Sequence, residues 1–261
     1  MNRALVTGSK GYIGKFLVQE LIRMGWEVIE FDKADNALHD INFTTLEKLF
    51  EEQEFSVVFH LAAVSKVRQC EMNLQNTYAT NTLSTIRLDN LCQRYGKKMI
   101  FISSVAVDSE EKTTYSMSKE VAEFHLTKSS NAVIVRLPNV IGAYPGFEFK
   151  EDCSLFENLI LNIKTNKPLT IYGNAWRDWV DIQSVLWWIS DSLNATLGTV
   201  ITVPGSIRCS VKRLMEELER FTNHRFKYIE EGAIDPQNYR KDEKEVKFNY
   251  TVLEKVIDSY K

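Results

Sequence analysis

Tyr115 and Lys119 stand four residues apart in Tyr115-Ser116-Met117-Ser118-Lys119. On a helix that spacing sets both side chains on one face, a turn apart. A phenol ionises near pH 10 (about the free value), so alone it is a poor base near neutrality. An ammonium beside it favours the phenolate and brings that value toward working pH. Such a tyrosine can pass a proton to or from an alcohol or a carbonyl. Many surface helices carry the same spacing, so its meaning depends on the elements around it.

Those elements alternate. Residues 3–7 read as a short apolar strand, followed by Gly8-Ser9-Lys10-Gly11-Tyr12-Ile13-Gly14 and an amphipathic run that Gly25 stops. The run from Glu27 to Asp32 reads as the next strand, ending in an acid. Glycines permit a tight turn and a close approach of backbone to a pyrophosphate, and a helix N-terminus offers N–H groups to that anion. A carboxylate at the end of the second strand accepts hydrogen bonds from the adenosine ribose. The spacing therefore predicts a dinucleotide cradle. Asp32 would repel a 2′-phosphate, which favours NAD; Lys10 and Lys33 would soften that repulsion and leave NADP open. Thr44-Thr45-Leu46-Glu47 has the pattern of a capping box opening a helix to about Gln53.

Val57 to Ala63 is a continuous apolar run, as in a parallel strand covered on both faces. The small Ala62 and Ala63 would let a cofactor approach, and His60 reads as a satisfied core histidine. A long helix is expected from about Gln75 to Tyr95, carrying Asn81. The strand from Met99 ends in Ser103-Ser104, and ligands of open α/β sheets sit beyond such strand ends. The helix over 115–129 carries the Tyr115 and Lys119 pair, and a strand over 132–137 stops at Pro138-Asn139. This order predicts a doubly wound parallel sheet in an α/β protein. After about Pro145 short elements alternate: a helix near 153–165, strands over 169–172 and 176–181, a helix through Trp187-Trp188, a strand over 200–203, a helix over 210–221, a small strand near 226–230 and a last helix from about Thr251. The mixed charges from Lys241 to Lys247 read as a solvated loop.

The 261 residues suffice for one large domain or a domain with a lobe, and 44% apolar content supports a full core. A net charge of −3 argues against a nucleic-acid surface driven by bulk charge. No apolar run approaches the roughly 18 residues of a membrane span, and the N-terminus lacks the layout of a signal peptide. Cys70, Cys92, Cys153 and Cys209 are scattered, which fits reduced thiols and a cytoplasmic location. His39, His60, His125 and His224 show no metal-ligand spacing, and no metal site is expected.

Taken in order, Thr7-Gly8-x-x-Gly11-x-x-Gly14, Asp32, Asp40-Ile41, Leu61-Ala62-Ala63, Asn81, Ser103-Ser104, Tyr115-x-x-x-Lys119, Arg136-x-x-Asn139 and Arg177-Asp178 resemble the extended short-chain dehydrogenase/reductase family, the NAD-dependent epimerase/dehydratase group. The resemblance covers roughly residues 1–210. It implies a Rossmann domain over 1–145, to which later strands return, and a small C-terminal substrate-binding lobe over 146–261 that is not an independent domain. By position, Tyr115 is implied as the acid/base, Lys119 as the group that binds the nicotinamide ribose and tunes it, and Ser104 as the hydrogen-bond partner of the reacting oxygen. Gly8, Gly11, Tyr12, Ile13, Gly14, Asp32, Lys33, Asp40, Ile41, Leu61, Ala62, Ala63 and Asn81 are implied in cofactor binding. Asn139 and Arg177 are implied beside a nucleotide-sugar substrate, Arg177 through its bidentate fork; a structural ion pair is the alternative for Arg177.

The resemblance implies an NAD(P)-dependent oxidoreductase or isomerase of carbohydrate biosynthesis, acting on a nucleotide sugar as a C4 epimerase or a 4-keto reductase. It also implies a homodimer paired through the helices at 75–95 and 115–129. Dehydratase relatives carry an Asp-Glu pair where Val105-Ala106 stand here, so dehydration is not expected. Asp108-Ser109 replace a Tyr-Gly, and the stretch between Ser104 and Tyr115 is short. Two alternatives follow: a reductase of a smaller non-nucleotide carbonyl compound, and a non-catalytic dinucleotide-binding protein.

Overall fold

The computed structural model describes residues 2–42, 45–128, 131–143, 154–172, 176–231 and 247–260. Thr44 of the expected capping box, Cys153 and residues 241–246 of the mixed-charge run lie outside them. The chain forms two compact units: residues 1–107, 112–137 and 186–203, and residues 108–111, 138–185 and 204–261.

The first unit opens with β1 (Arg3–Thr7), α1 (Tyr12–Arg23) and β2 (Glu27–Phe31). The helix α1 buries Phe16, Leu17 and Leu21 and ends where Gly25 takes a φ of +81°. Next come α2 (Thr45–Glu52), β3 (Val57–His60), α3 (Val67–Met72), α4 (Leu74–Tyr78), α5 (Ser84–Arg94), β4 (Lys98–Ser104), α6 (Thr114–Leu126) and β5 (Ala132–Leu137). The apolar run from Val57 thus leaves the strand after His60, and Leu61 to Ala63 form the turn beyond it.

The long helix expected over 75–95 is three segments, because residues Ala79–Leu83 form a π-helical turn between α4 and α5. Hydroxyls four residues on take up backbone carbonyls there: Ser84 Oγ donates to Thr80 O, and Thr85 Oγ1 donates to Asn81 O at 2.8 Å. Such returns compete with the regular ladder, and single π turns gather at functional sites.

Pro138 does not end the extended chain. The short strand β6 (Asn139–Ile141) follows it directly, in the second unit's sheet. That unit continues with α7 (Leu155–Thr165), β7 (Leu169–Tyr172) and β8 (Trp176–Asp181). The division between units falls within α8 (Ile182–Asp191). The strand β9 (Val200–Thr202) belongs to the first unit, and β10 (Ile207–Ser210), α9 (Val211–Thr222), β11 (Tyr228–Glu231) and α10 (Tyr250–Ser259) to the second.

The first unit's sheet has six strands in the order β2-β1-β3-β4-β5-β9, every pair parallel. Parallel strands buried on both faces need continuous apolar sequence, and Ala4 to Val6, Val57 to Phe59 and Met99 to Phe101 are at or near full burial. Leu5, Phe31, Val58, Leu88, Phe101 and Ala122 share one core cluster. Each of the larger of these side chains, Leu5, Phe31, Val58, Leu88 and Phe101, contributes about 1.5–3 kcal/mol when taken fully from water. The register sets Thr7 beside both Phe31 and His60, and Ser104 beside Leu137, so the carboxyl ends align along one edge. The chain runs outward from β1 to β2 and then returns to β3 on the other side of β1. That reversal is the switch point beside which open sheets bind ligands.

The second unit has a three-stranded sheet, β10-β8-β6, and a parallel pair, β11-β7. Its core gathers Phe156, Leu159, Trp179, Leu214 and Leu253. No helix among the described residues is long and apolar enough to cross a membrane.

Candidate active site

The glycine turn lies at the switch point. Gly8 has a φ of +73°, and a Cβ there would stand 2.6 Å from Ala62 N. The turn after β1 and the turn after β3 thus touch backbone to backbone. A Cβ on Gly14 would stand 2.1 Å from Gly8 O and 2.9 Å from Ser9 C. Only hydrogen fits at either position, so the first turn of α1 is drawn tightly against the loop. Gly11 is the N-cap of α1, and no side chain caps that end. Ser9 is fully buried, and its Oγ has no partner among the described residues. Tyr12 packs edge-on against Phe16, with centroids 5.7 Å apart; Tyr12 and Ile13 are half-buried.

Asp32 is fixed beside this turn. Its Oδ2 accepts from Lys10 N at 3.0 Å and its Oδ1 from Ala34 N at 2.9 Å. Lys33 is exposed. Asp40 Oδ1 accepts from Asn42 N at 3.0 Å, and Ile41 is buried in the core cluster that holds Phe31.

The turn after β3 is held by Asn81. Its Oδ1 accepts from Val64 N at 2.8 Å, and its Nδ2 donates to Val64 O at 2.9 Å and to Ser118 Oγ at 3.0 Å. The π turn presents this fully buried amide toward both partners. Ser118 Oγ in turn donates to Tyr115 O at 2.7 Å. One amide therefore joins the strand-end turn to the helix that carries Tyr115.

Three groups meet at the end of β4. Ser104 is hydrogen-bonded to the Tyr115 side chain. Lys119 Nζ donates to Ile102 O at 2.9 Å and lies 4.5 Å from the centroid of Phe101. Lys119 is buried, and burial lowers its pKa to about 8, against a smaller upward pull from Glu123 and Cys70. The Tyr115 phenol is pushed up to about 12 by burial, with the Ser104 hydrogen bond pulling the other way. The expectation that Lys119 lowers the phenol is therefore not met among the protein's own groups. Desolvation of a half-buried phenol outweighs the hydrogen bond from Ser104, and the lysine proton is held on a backbone carbonyl.

The start of α6 is over-determined. Thr113 and Ser116 form a reciprocal capping box, and Glu71 accepts from Thr114 N at 2.7 Å and Thr114 Oγ1 at 2.6 Å. A carboxylate suits the positive end of a helix. Glu71 sits on α3, 43 residues from its partner, so no local motif marks it. Farther along α6, the buried Glu123 takes Arg136 as a fork, with contacts of 3.1, 3.0 and 2.6 Å.

His60 is the core histidine expected. Its Nδ1 lies 2.7 Å from Thr7 Oγ1 and its Nε2 2.9 Å from Thr85 Oγ1, in full burial. Burial, with Lys119 adding to it, lowers its pKa to about 3.

Asn139 and Arg177 belong to the second unit and lie on strands that pair with each other, β6 and β8. Asn139 Nδ2 donates to Asp178 O at 3.1 Å. Arg177 is 3% exposed, and its Nη1 donates to Trp176 O at 3.0 Å. The neighbouring Asp178 is ion-paired to Arg208 at 2.6 Å.

A family model described as the NAD dependent epimerase/dehydratase family matches residues 4–186. Among curated proteins the chain is similar to UDP-glucose 4-epimerase 4 of Oryza sativa subsp. japonica, 26% identical over 219 residues that cover 65% of this chain and 59% of that protein. The chain spans about three fifths of the length of the rice epimerases it matches. Among solved structures it is similar to a UDP-glucose 4-epimerase with UDP-glucose from Thermotoga maritima, at a TM-score of 0.85 and 19% identity, covering 99% of this chain and 98% of that one. It is also similar to a dTDP-4-dehydrorhamnose reductase in complex with NADP from Bacillus anthracis, at a TM-score of 0.80 and 19% identity, covering 100% and 98%.

Proposed function

The chain belongs to the NAD-dependent epimerase/dehydratase family, and on that premise we propose that it is an NAD-dependent oxidoreductase of nucleotide sugars, of the C4 epimerase or 4-keto reductase type. The assembly of Ser104, Tyr115 and Lys119 at the end of β4 carries this reading. The residues around the glycine turn suit the cofactor. Gly8 and Gly14 let the turns after β1 and β3 and the first turn of α1 close on one another, the N-terminus of α1 has no side-chain cap, and the Asp32 carboxylate held beside that turn would accept from a ribose. Leu61 to Ala63, Asp40 and Ile41 would complete the cradle, with Asn81 holding the turn. Bound there, NAD supplies the hydride chemistry.

The chain's own residues do the rest. Tyr115 moves a proton to or from the oxygen at the reacting sugar carbon, and Ser104 holds that oxygen. Lys119, still mostly cationic near neutrality, holds the nicotinamide ribose and offsets charge on Tyr115. The phenol keeps its proton at neutral pH among the protein's own groups, so it enters most readily as the acid that protonates a carbonyl undergoing reduction. Val105 and Ala106 offer no elimination acid or base, which speaks against dehydration. Asn139 and Arg177 are assigned to the sugar nucleotide, Arg177 to its diphosphate.

Purified protein incubated with UDP-, dTDP-, GDP- and CDP-sugars, and with their 4-keto forms, should show turnover or a change in nicotinamide absorbance with at least one class. Silence across all four contradicts the reading. The short stretch between Ser104 and Tyr115 favours a second one, reduction of a smaller carbonyl compound. Activity on non-nucleotide carbonyls that survives Arg177→Ala would select it.

The chain is further assigned as a homodimer. Met117, Val121 and Phe124 share one face of α6 at helical spacing and are 37%, 47% and 64% exposed; Leu83, in the π turn before α5, is 63% exposed. Light scattering should give twice the chain mass for the native protein and the single mass for Val121→Glu/Phe124→Glu.

A further inference from the structure

We propose that Glu30 and Asp35 set the cofactor preference of this chain by holding the Lys10 ammonium away from the ribose edge, where it would otherwise meet the 2′-phosphate of NADP. The inference rests on the glycine turn being a dinucleotide cradle. Lys10 stands in that turn, and its backbone N–H fixes Asp32. It is the cation of the glycine turn, and that backbone bond sets it beside the carboxylate that would face the ribose. A free ammonium there would attract a phosphate dianion and offset the repulsion from Asp32.

The ammonium is committed elsewhere. Lys10 Nζ lies 2.8 Å from Glu30 Oε2 and 3.2 Å from Asp35 Oδ2. Its pKa is raised, chiefly by the hydrogen bond to Glu30, which keeps it charged and paired. Glu30 is a half-buried residue of β2 just before Asp32, and Asp35 follows in the next turn. Three carboxylates (Glu30, Asp32, Asp35) thus stand against two lysines (Lys10, Lys33), and the balance is negative where a 2′-phosphate would add two more charges. The hydroxyl of NAD meets no such penalty, because it donates to a carboxylate. The pairs are about one third to one half exposed, so they add little to stability and can be removed with the fold intact.

The test uses the whole protein and measures dissociation constants for NAD+ and NADP+ by titration calorimetry, with no substrate required. The variants are Glu30→Gln/Asp35→Asn and the same pair with Lys10→Ala. Native protein should bind NAD+ at least roughly tenfold more tightly than NADP+. The double variant should gain roughly tenfold in NADP+ affinity, the change that about 1.4 kcal/mol makes, while NAD+ affinity moves by less than about threefold. Adding Lys10→Ala should abolish the gain, since the freed ammonium is what produces it. NAD+ bound normally with an unchanged NADP+ constant in the double variant overturns the inference alone, as does a gain that persists without Lys10. Binding of neither dinucleotide by the native protein overturns both the inference and the cradle reading.

Discussion

Gly14→Ala separates a site from a plain helix. Inside an exposed helix, alanine for glycine stabilises by about 0.8–1.0 kcal/mol. The backbone of Gly14 has no positive φ to defend, so propensity alone predicts a more stable protein. The packing predicts the reverse. The new Cβ would lie 2.1 Å from Gly8 O and 2.9 Å from both Ser9 C and Ser9 Cα, where ordinary contact begins near 3.4 Å. All three neighbours are backbone, so the loop must retreat by roughly 1 Å. Forcing a methyl into a filled space costs about 1–3 kcal/mol. After the propensity gain, urea unfolding should show a net loss of about 0–2 kcal/mol at unchanged slope. A binding loss should accompany it, because the displaced atoms are those on which a pyrophosphate would rest. NAD+ affinity should fall by at least tenfold, or about 1.4 kcal/mol. Gly25→Ala is the control: its φ of +81° is strained for alanine, but nothing lies within 4 Å, so it should lose about 1 kcal/mol of stability and no NAD+ affinity. A Gly14→Ala protein that is more stable than native and binds NAD+ equally well refutes the reasoning.

Other outcomes follow from the same geometry. Tyr115→Phe should cut turnover by about 10²-fold or more while NAD+ affinity stays within about threefold, and Lys119→Met should weaken both; single-turnover kinetics and calorimetry distinguish them. Glu71→Ala should cost about 1 kcal/mol and speed hydrogen exchange at the first turn of α6, at Thr114 to Met117, and equal exchange rates in both proteins would deny it a positioning role. The folded-state pKa of His60 lies at about 3, below its ordinary value of 6.5, so its contribution is intact above about pH 6.5 and is lost as pH falls toward 3. That loss approaches about 1.4 kcal/mol per pH unit. His60→Asn should flatten the stability profile across that window, and identical slopes would show that His60 is not the group responsible.

Much of the first unit is legible in the residue string because its constraints are local. Glycines, aliphatic runs and an acid at a strand end fix the β1–α1–β2 unit, and the four-residue spacing of Tyr115 and Lys119 survives intact on α6. The interruption at Ala79–Leu83 contains no Gly or Pro to mark it, and the returns of Ser84 and Thr85 to the carbonyls of Thr80 and Asn81 accompany it at a spacing that ordinary helices also carry. Three-residue β6 lies below the length at which a period can show, and Pro138 before it reads as a stop. Glu71 acts across 43 residues on a helix end, a relation no local pattern carries. The sign of the Tyr115 shift is likewise a tertiary quantity, because it is set by burial working against the hydrogen bond from Ser104. Lys10 could be placed in the turn from sequence, but its commitment to Glu30 and Asp35 depends on how β2 lies against that turn.

The central claim is that Ser104, Tyr115 and Lys119 face the nicotinamide of a dinucleotide held by the glycine turn. A crystal structure of the protein soaked with NAD+ tests it most directly. The account predicts the pyrophosphate over the first turn of α1, Lys119 Nζ within hydrogen-bond distance of the nicotinamide ribose, and Tyr115 Oη beside the ring. A cofactor bound with its nicotinamide away from Tyr115, or the turn after β1 closed against the pyrophosphate, would contradict it.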